Sequence, residues 1–177
     1  MKAPPEGPPV EQMAFVALGS NLGDSGRILA EALEELQKLS PAPLLRSSWW
    51  KTTPVDCPPG SPPFLNAVVG LVPEAAETPE SLLLKLQALE RQFGRRPKKV
   101  LNEARPLDLD LIVFGPATRA TPRLALPHPR AHERRFVLAP LAEIAPGLIL
   151  PGQAAPVAAL LGALPEDPGM KRIATGD

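Results

Sequence analysis

Leu107, Asp108, Leu109, Asp110 and Leu111 alternate without a break, and a period of two is the signature of an extended strand. The leucines point to one face and both carboxylates to the other. Two residues of strand separate the aspartates by roughly 6.6 Å, so at an effective dielectric near 20 they repel by about 2.5 kcal/mol if nothing lies between them. A cation resolves the conflict. Hard oxygen ligands favour magnesium, which takes one or two carboxylates and leaves its other positions to water and phosphate. The aspartate face continues as Ile112 and Phe114, so the charges are expected at the entrance of an element otherwise buried on both sides. A half-exposed strand with a wet acidic face has the same pattern; the surrounding charge bears on the choice.

The chain is neutral overall, but residues 91–135 carry 11 Lys/Arg against 4 Asp/Glu, leaving the remainder with 8 basic and 15 acidic residues. This polarity points to an anionic ligand. Arg95, Arg105, Arg123, Arg130 and Arg134 flank the aspartates in sequence, which suits several metal-bridged phosphates better than one. A nucleoside triphosphate is the first choice. There is no GxxxxGK[ST] loop, and GSNLG at 19–23 reads only as a turn. His128, held between Pro127 and Pro129, can donate to a phosphate or satisfy a nearby carbonyl, whereas His132 reads as helical and exposed.

At 177 residues the chain is long enough for one domain with one core. No apolar run reaches the ~18 residues of a bilayer span, and the first residues lack the apolar stretch of a signal peptide, so a cytoplasmic protein is expected. Cys57 is the single cysteine; it can form no internal disulfide, and with two histidines it is too little for a structural zinc site.

Residues 1–12 form a Pro-rich tail expected to be disordered, residues 13–164 the single folded domain, and residues 165–177 a C-terminal tail. MAFVALG reads as a buried strand and is followed by a helix capped by Asp24. Leu44 to Lys51 is a second strand, TTPVDCPPGSPP a loop stiffened by five prolines, and Phe64 to Val72 a third strand. Thr78-Pro79 starts a helix whose stripe is Leu82, Leu86, Leu89 and Phe93, with Glu90 flanking it. An extended stretch near 121–126 precedes a helical region from Arg130 to Leu141 bracketed by Pro129 and Pro140, and Ala154 to Leu161 forms a last short helix. Strand, helix, strand, strand, helix, strand is the order of a ferredoxin-like split βαβ fold: an α+β protein whose antiparallel sheet carries two helices on one face, with the C-terminal pieces on the other.

Phe64 and Asn66 are two apart on the third strand, so a ring and an amide share one surface. That pair suits a flat heteroaromatic, with Phe136 closing a stack from the other side. Core packing is the alternative for Phe64.

In order and spacing, MAFVALGSNLGD, TTPV, PFLNAVV, LERQFGRRP, NEARPLDLDLIVFG and LPHPRAHERRFVLAPLAEIAP resemble the 6-hydroxymethyl-7,8-dihydropterin pyrophosphokinases of folate biosynthesis over residues 13 to 150. The resemblance implies a ferredoxin-like fold and transfer of the β,γ-diphosphate of ATP to the pterin hydroxymethyl group, with release of AMP. It implies Asp108 and Asp110 as ligands of two magnesium ions, and Thr52, Pro54, Val55, Phe64, Asn66 and Phe136 as the pterin site. It implies Gln87, Glu90, Arg95, Arg105, Leu111, Arg123, His128 and Arg134 as the ATP site, with Arg95 and Arg105 near the reacting phosphates. Many members have Arg-x-Arg after the glycine of the basic loop. Here Gly94 is followed by Arg95, Arg96 and Pro97, leaving the second arginine's place to Arg96, Lys98 or no residue, and Asn102 and Pro129 stand where aromatic residues are common.

Catalysis on this reading rests on alignment and charge stabilisation, with Arg95, Arg105, Asp108 and Asp110 as the catalytic set and Asp110 a candidate proton acceptor. The partners are small molecules, with no nucleic acid and no membrane, and the chain is expected to be a monomer. Two rivals stand beside it: a metal-dependent nucleotide phosphohydrolase using the same aspartates, and a ferredoxin-like RNA-binding module, for which seven aromatics and no RNP-like cluster argue poorly.

Overall fold

The computed structural model describes residues 8–54, 57–97, 99–101 and 103–173. Its elements follow the expected order: β1 (Ala14–Ser20), α1 (Ser25–Gln37), β2 (Leu45–Arg46), β3 (Trp49–Thr52), β4 (Phe64–Leu71), α2 (Pro79–Gln92), β5 (Asp108–Phe114), the hairpin β6 (Arg119–Ala120) and β7 (Ala125–Leu126), α3 (Arg135–Ile144), α4 (Val157–Ala163) and β8 (Lys171–Ile173). The main sheet runs β5-β1-β4-β3-β8, with β2 also on β4, and every pairing is antiparallel. This is the ferredoxin-like arrangement with helices on both faces.

Local chemistry sets the helix starts. Asp24 accepts from the Arg27 N–H at 3.3 Å, and Thr78 and Ser81 form a capping box that spans Pro79, each satisfying amides that the first turn leaves without partners. Leu29, Leu33 and Leu36 of α1 and Leu82, Leu86 and Leu89 of α2 pack on Val16, Leu18, Leu109 and Leu111. The opposite face is covered over only part of its length, where Val137, Leu138 and Leu141 of α3 and Val157 of α4 meet Phe15, Val68 and Ile112. The rest of that face carries Asp108, Asp110, Gly19, Asn66 and Phe64.

Four details differ from the sequence expectation. The second strand is broken at Ser47, whose hydroxyl accepts from the Val68 N–H at 2.9 Å while its own N–H donates to the Val68 carbonyl at 3.0 Å, so a side chain replaces one rung of the ladder. Phe114 does not continue the aspartate face: the register slips between Leu111–Val16 and Val113–Phe15, a bulge that sends Val113 to the side of Ile112 and Phe114 to the other core. Pro140 lies inside α3 and does not end it, having no N–H to offer the Phe136 carbonyl one turn back. Beyond Pro165, where no periodicity was legible, Lys171–Ile173 adds a strand to the sheet edge.

Candidate active site

Sheet register builds the site. Gly19 of β1 lies opposite Asn66 of β4 on one side and Asp108 of β5 on the other, and residues directly opposite in a sheet share a face. Asp110 follows beside Ala17. With strands about 4.8 Å apart, the carboxylate face and the Asn66 amide are separated by two strand spacings, about 10 Å. Gly19 is the floor between them: a Cβ there would sit 3.3 Å from Asn66 Oδ1, 3.9 Å from Phe64 Cδ1 and 4.0 Å from Asp108 Cβ.

On the carboxylate side, Arg95 Nη1 donates to Asp108 Oδ1 at 2.7 Å, and Arg105 Nη1 lies 3.6 Å from Asp108 Oδ2. Arg95 also pairs with Glu90. Burial, then the Asp108 carboxylate, push the Asp110 carboxyl up to about 6, against the pull of Arg134, Arg105 and Arg95. Arg105 Nε is buried with no hydrogen-bond partner among the described residues, and a buried donor of that kind calls for an acceptor. A cavity of about 400 Å3 opens beside it, lined by Leu22, Arg95, Arg96, Lys99 and Arg105 among others. Among the described residues no three His, Cys, Asp or Glu groups converge to enclose a metal. Two carboxylates with room for anionic oxygens fit a hard cation completed by phosphate and water.

Glu90 is not beside the helical stripe but on it, and is buried. Its Oε2 accepts from the Leu109 N–H at 3.1 Å, closing the outer edge of β5, and burial pushes its carboxyl up to about 7 despite that bond and Arg95. It thus stands at the Arg95–Asp108 end. Gln87 and Arg123 do meet: both line a cavity of about 570 Å3 with Leu83, Leu84 and Leu124, where Arg119 Nε reaches Glu80 Oε1 at 2.5 Å and ties the β6–β7 hairpin to α2. The Leu111 side chain is buried in the helix-covered core, so any ligand contact from it comes from backbone. His128 is fixed by its N–H to the Ile112 carbonyl at 2.7 Å, and its Nδ1 accepts from the Arg130 N–H at 3.2 Å. Burial first, then Arg134 and Arg130, lower its pKa against Asp108, which leaves a neutral ring with Nε2–H as donor.

On the other side, Asn66 Nδ2 donates to Thr52 Oγ1 at 2.8 Å, locking the buried amide with its oxygen toward Gly19. Phe64 is half-buried and Pro54 lies in the loop after β3; Val55 lies outside the described residues, as do Lys98 and Asn102. Phe136 stays 39% exposed on the first turn of α3, and the Arg134 guanidinium lies 5.5 Å from its ring centroid. It is therefore a ring offered at the surface and not a core side chain.

Asn21 was legible only as a turn residue, yet it is 2% exposed and joins three segments. Its N–H donates to the Arg105 carbonyl at 3.2 Å, its Oδ1 accepts from the Arg105 N–H at 2.9 Å, and its Nδ2 donates to the Pro62 carbonyl at 3.3 Å. No sequence signal marks this role, because the partners come from loops 41 and 84 positions away.

Residues 15–146 match the model of the 7,8-dihydro-6-hydroxymethylpterin-pyrophosphokinase (HPPK) family. The chain belongs to the HPPK family. It is 39% identical over 140 residues to the 2-amino-4-hydroxy-6-hydroxymethyldihydropteridine pyrophosphokinase of Porphyromonas gingivalis, covering 77% of this chain and 92% of that one. To the Haemophilus influenzae protein of the same name it is 39% identical over 139 residues, 78% of this chain and 84% of that. The Bacillus subtilis protein is 37% identical over 136 residues, 76% and 79% of the two chains. Among solved structures, a Plasmodium falciparum HPPK-DHPS triple mutant with pteroate superposes with a TM-score of 0.67 at 13% identity, over 85% of this chain. This HPPK-family chain spans only 42% of that longer one, and the likeness bears on the fold. Among the described residues no helix is long and apolar enough to cross a membrane.

Proposed function

We propose that the chain transfers the β,γ-diphosphate of ATP to the hydroxymethyl group of 6-hydroxymethyl-7,8-dihydropterin, releasing AMP, as a cytoplasmic monomer whose one catalytic domain, expected over residues 13–164, also takes in β8 at its sheet edge, and that it acts on small molecules and not on nucleic acid. The observation that carries the reading is the register of Asp108, Gly19 and Asn66 across three adjacent strands. It gives one sheet face a charge-handling half and an amide-and-ring half, about 10 Å apart.

The locked Asn66 amide presents its oxygen to the edge of a pterin, while Thr52, Pro54 and Val55 supply loop backbone and Phe64 and Phe136 the stacking faces. Gln87 and Arg123 line the cavity suited to adenosine, while Glu90 serves the phosphate end by holding Arg95. Arg95, Arg105, His128 and Arg134 are donors to the phosphates. Asp108 and Asp110 would hold magnesium, two ions on this reading, whose chemistry is to neutralise charge along the triphosphate. The pterin hydroxymethyl oxygen forms a bond to the β-phosphorus as the bond from that phosphorus to the α,β-bridging oxygen breaks; the electron pair leaves with AMP and the hydroxyl proton passes to the Asp110 carboxylate. Alignment of the two reactants and guanidinium charge on the phosphates supply most of the rate.

Release of AMP measured with and without hydroxymethyldihydropterin tests the reading. AMP formation that requires the pterin supports it; phosphate or pyrophosphate release without any acceptor makes the protein a phosphohydrolase instead.

A further inference from the structure

The family match ends at residue 146, yet the chain beyond α4 returns to the site. It passes the start of α3, where Arg135 Nη1 donates to the carbonyls of Leu161 and Pro165 at 3.5 and 3.4 Å and Arg135 Nη2 lies 4.0 Å from Glu166. A turn follows at Asp167, whose side chain accepts from the Gly169 N–H at 2.9 Å and whose carbonyl accepts from the Met170 N–H at 3.1 Å. β8 is thereby delivered to the outer edge of β3, with Lys171 opposite Lys51, Arg172 opposite Trp50 and Ile173 opposite Trp49. Gly169 ends against Thr53: a Cβ there would meet Thr53 Oγ1 at 2.7 Å and Cγ2 at 3.2 Å. Its φ lies outside the left-handed region, so the requirement at this position is the missing side chain.

We infer that this C-terminal strap, residues 164–173, is a positioning element for the pterin half of the site. It braces Thr53, between Thr52 and Pro54, and it grips Arg135, between Arg134 and Phe136. Both walls assigned to the pterin are thus tied to one segment, while the Gln87–Arg123 cavity has no strap residue in its lining. Without the strap, β3 becomes an open sheet edge and the loop that leaves it has more conformations to lose on binding. A smaller binding-competent fraction raises the apparent dissociation constant in inverse proportion, for the pterin and not for ATP. The inference rests on the proposed pterin reading.

Gly169→Val in the full chain tests it, with kinetics for each substrate and amide hydrogen exchange at Thr52 and Thr53. The expected result is a KM for hydroxymethyldihydropterin raised about fivefold or more, a KM for ATP within about twofold, and faster exchange at the two threonines. Thr53→Ala added to Gly169→Val removes the two closest atoms, leaving Asp167 Oδ1 at 3.3 Å, and should return the pterin KM and the exchange toward wild type. Unchanged pterin KM and exchange overturn the inference. So does an equal rise in both KM values with protection lost across the whole sheet, or a double variant no better than the single one. If the wild-type protein forms no pterin-dependent AMP, the functional reading falls and the substrate half of the inference with it, and exchange at Thr52 and Thr53 alone then decides whether the strap fixes the loop.

Discussion

The Arg134 guanidinium lies 5.5 Å above the ring of Phe136, so a residue assigned to the nucleotide and one assigned to the pterin touch each other on the first turn of α3. The two halves of the site adjoin here, and Arg134 also acts on Asp110 through its charge. Arg134→Ala should therefore raise the KM for both substrates, by about three- to tenfold each, the range of a partly desolvated cation–π contact. Phe136→Leu should raise it for the pterin alone. Steady-state kinetics with each substrate varied in turn checks this; an Arg134→Ala protein with normal pterin KM would show that the contact carries no coupling.

Asp108 is the partner of Arg95 at 2.7 Å and a neighbour of Arg105 at 3.6 Å, so it orients both guanidinium groups besides its proposed metal role. Asp108→Ala is expected to lower turnover by at least about a hundredfold, the scale of a lost electrostatic stabiliser. Single-turnover AMP formation at saturating substrates measures it. Near-normal turnover would remove the aspartate pair from the chemistry.

The aspartate pair, the leucine face and the order of elements were legible because their signals are local: a period of two, a capping threonine before a proline, a helical stripe. What escaped was the consequence of contacts between distant segments. Glu90 looks like a flanking surface residue until the unpaired edge of β5 is seen to need an acceptor for the Leu109 N–H. GSNLG reads as a turn, and only the folded chain shows Asn21 holding Arg105 and Pro62. The bulge at Ile112 that redirects Phe114, and β8 itself, are likewise set by the partner strand and not by their own residues.

Burial raises two carboxyl groups of the folded protein above their ordinary values, Asp110 to about 6 and Glu90 to about 7. The native state then binds protons that the unfolded chain has released, so these groups contribute stability at acid pH that is lost as pH rises from about 4 toward 7. Glu90→Gln keeps an acceptor for the Leu109 N–H and removes the titration. In chelator-treated protein, its stability relative to wild type should grow between pH 5 and pH 8, measured by urea unfolding at both. A difference that stays flat, or shrinks, would contradict the sign.

Gly19 is the floor between the carboxylates and the Asn66 amide, with 3.3 Å left for a Cβ before Asn66 Oδ1. Asn66 cannot swing aside without giving up its bond to Thr52. Gly19→Ala should leave the fold intact, with a stability change near 1 kcal/mol, and weaken pterin binding by about tenfold or more through displacement of the amide. Titration calorimetry with the pterin in the presence of an ATP analogue reads this directly, and unchanged affinity would mean that the amide is not a pterin contact.

Asn21 allows the two loops to be separated. Asn21→Ala leaves the Arg105 N–H and the Pro62 carbonyl without their side-chain partner, and each of these part-buried bonds is worth about 0.5–1.5 kcal/mol. Asn21→Asp is the sharper probe. It keeps an oxygen for the Arg105 N–H but has no donor for Pro62, so the basic loop stays anchored while the proline-rich loop loses its tie. The alanine variant should then raise the KM for both substrates, and the aspartate variant chiefly that for the pterin, each with faster amide exchange confined to the loop released. If the aspartate variant instead impairs ATP binding as much as the alanine variant does, the bond from Asn21 to Pro62 is not what holds the pterin loop, and the β1–α1 turn serves the nucleotide side alone.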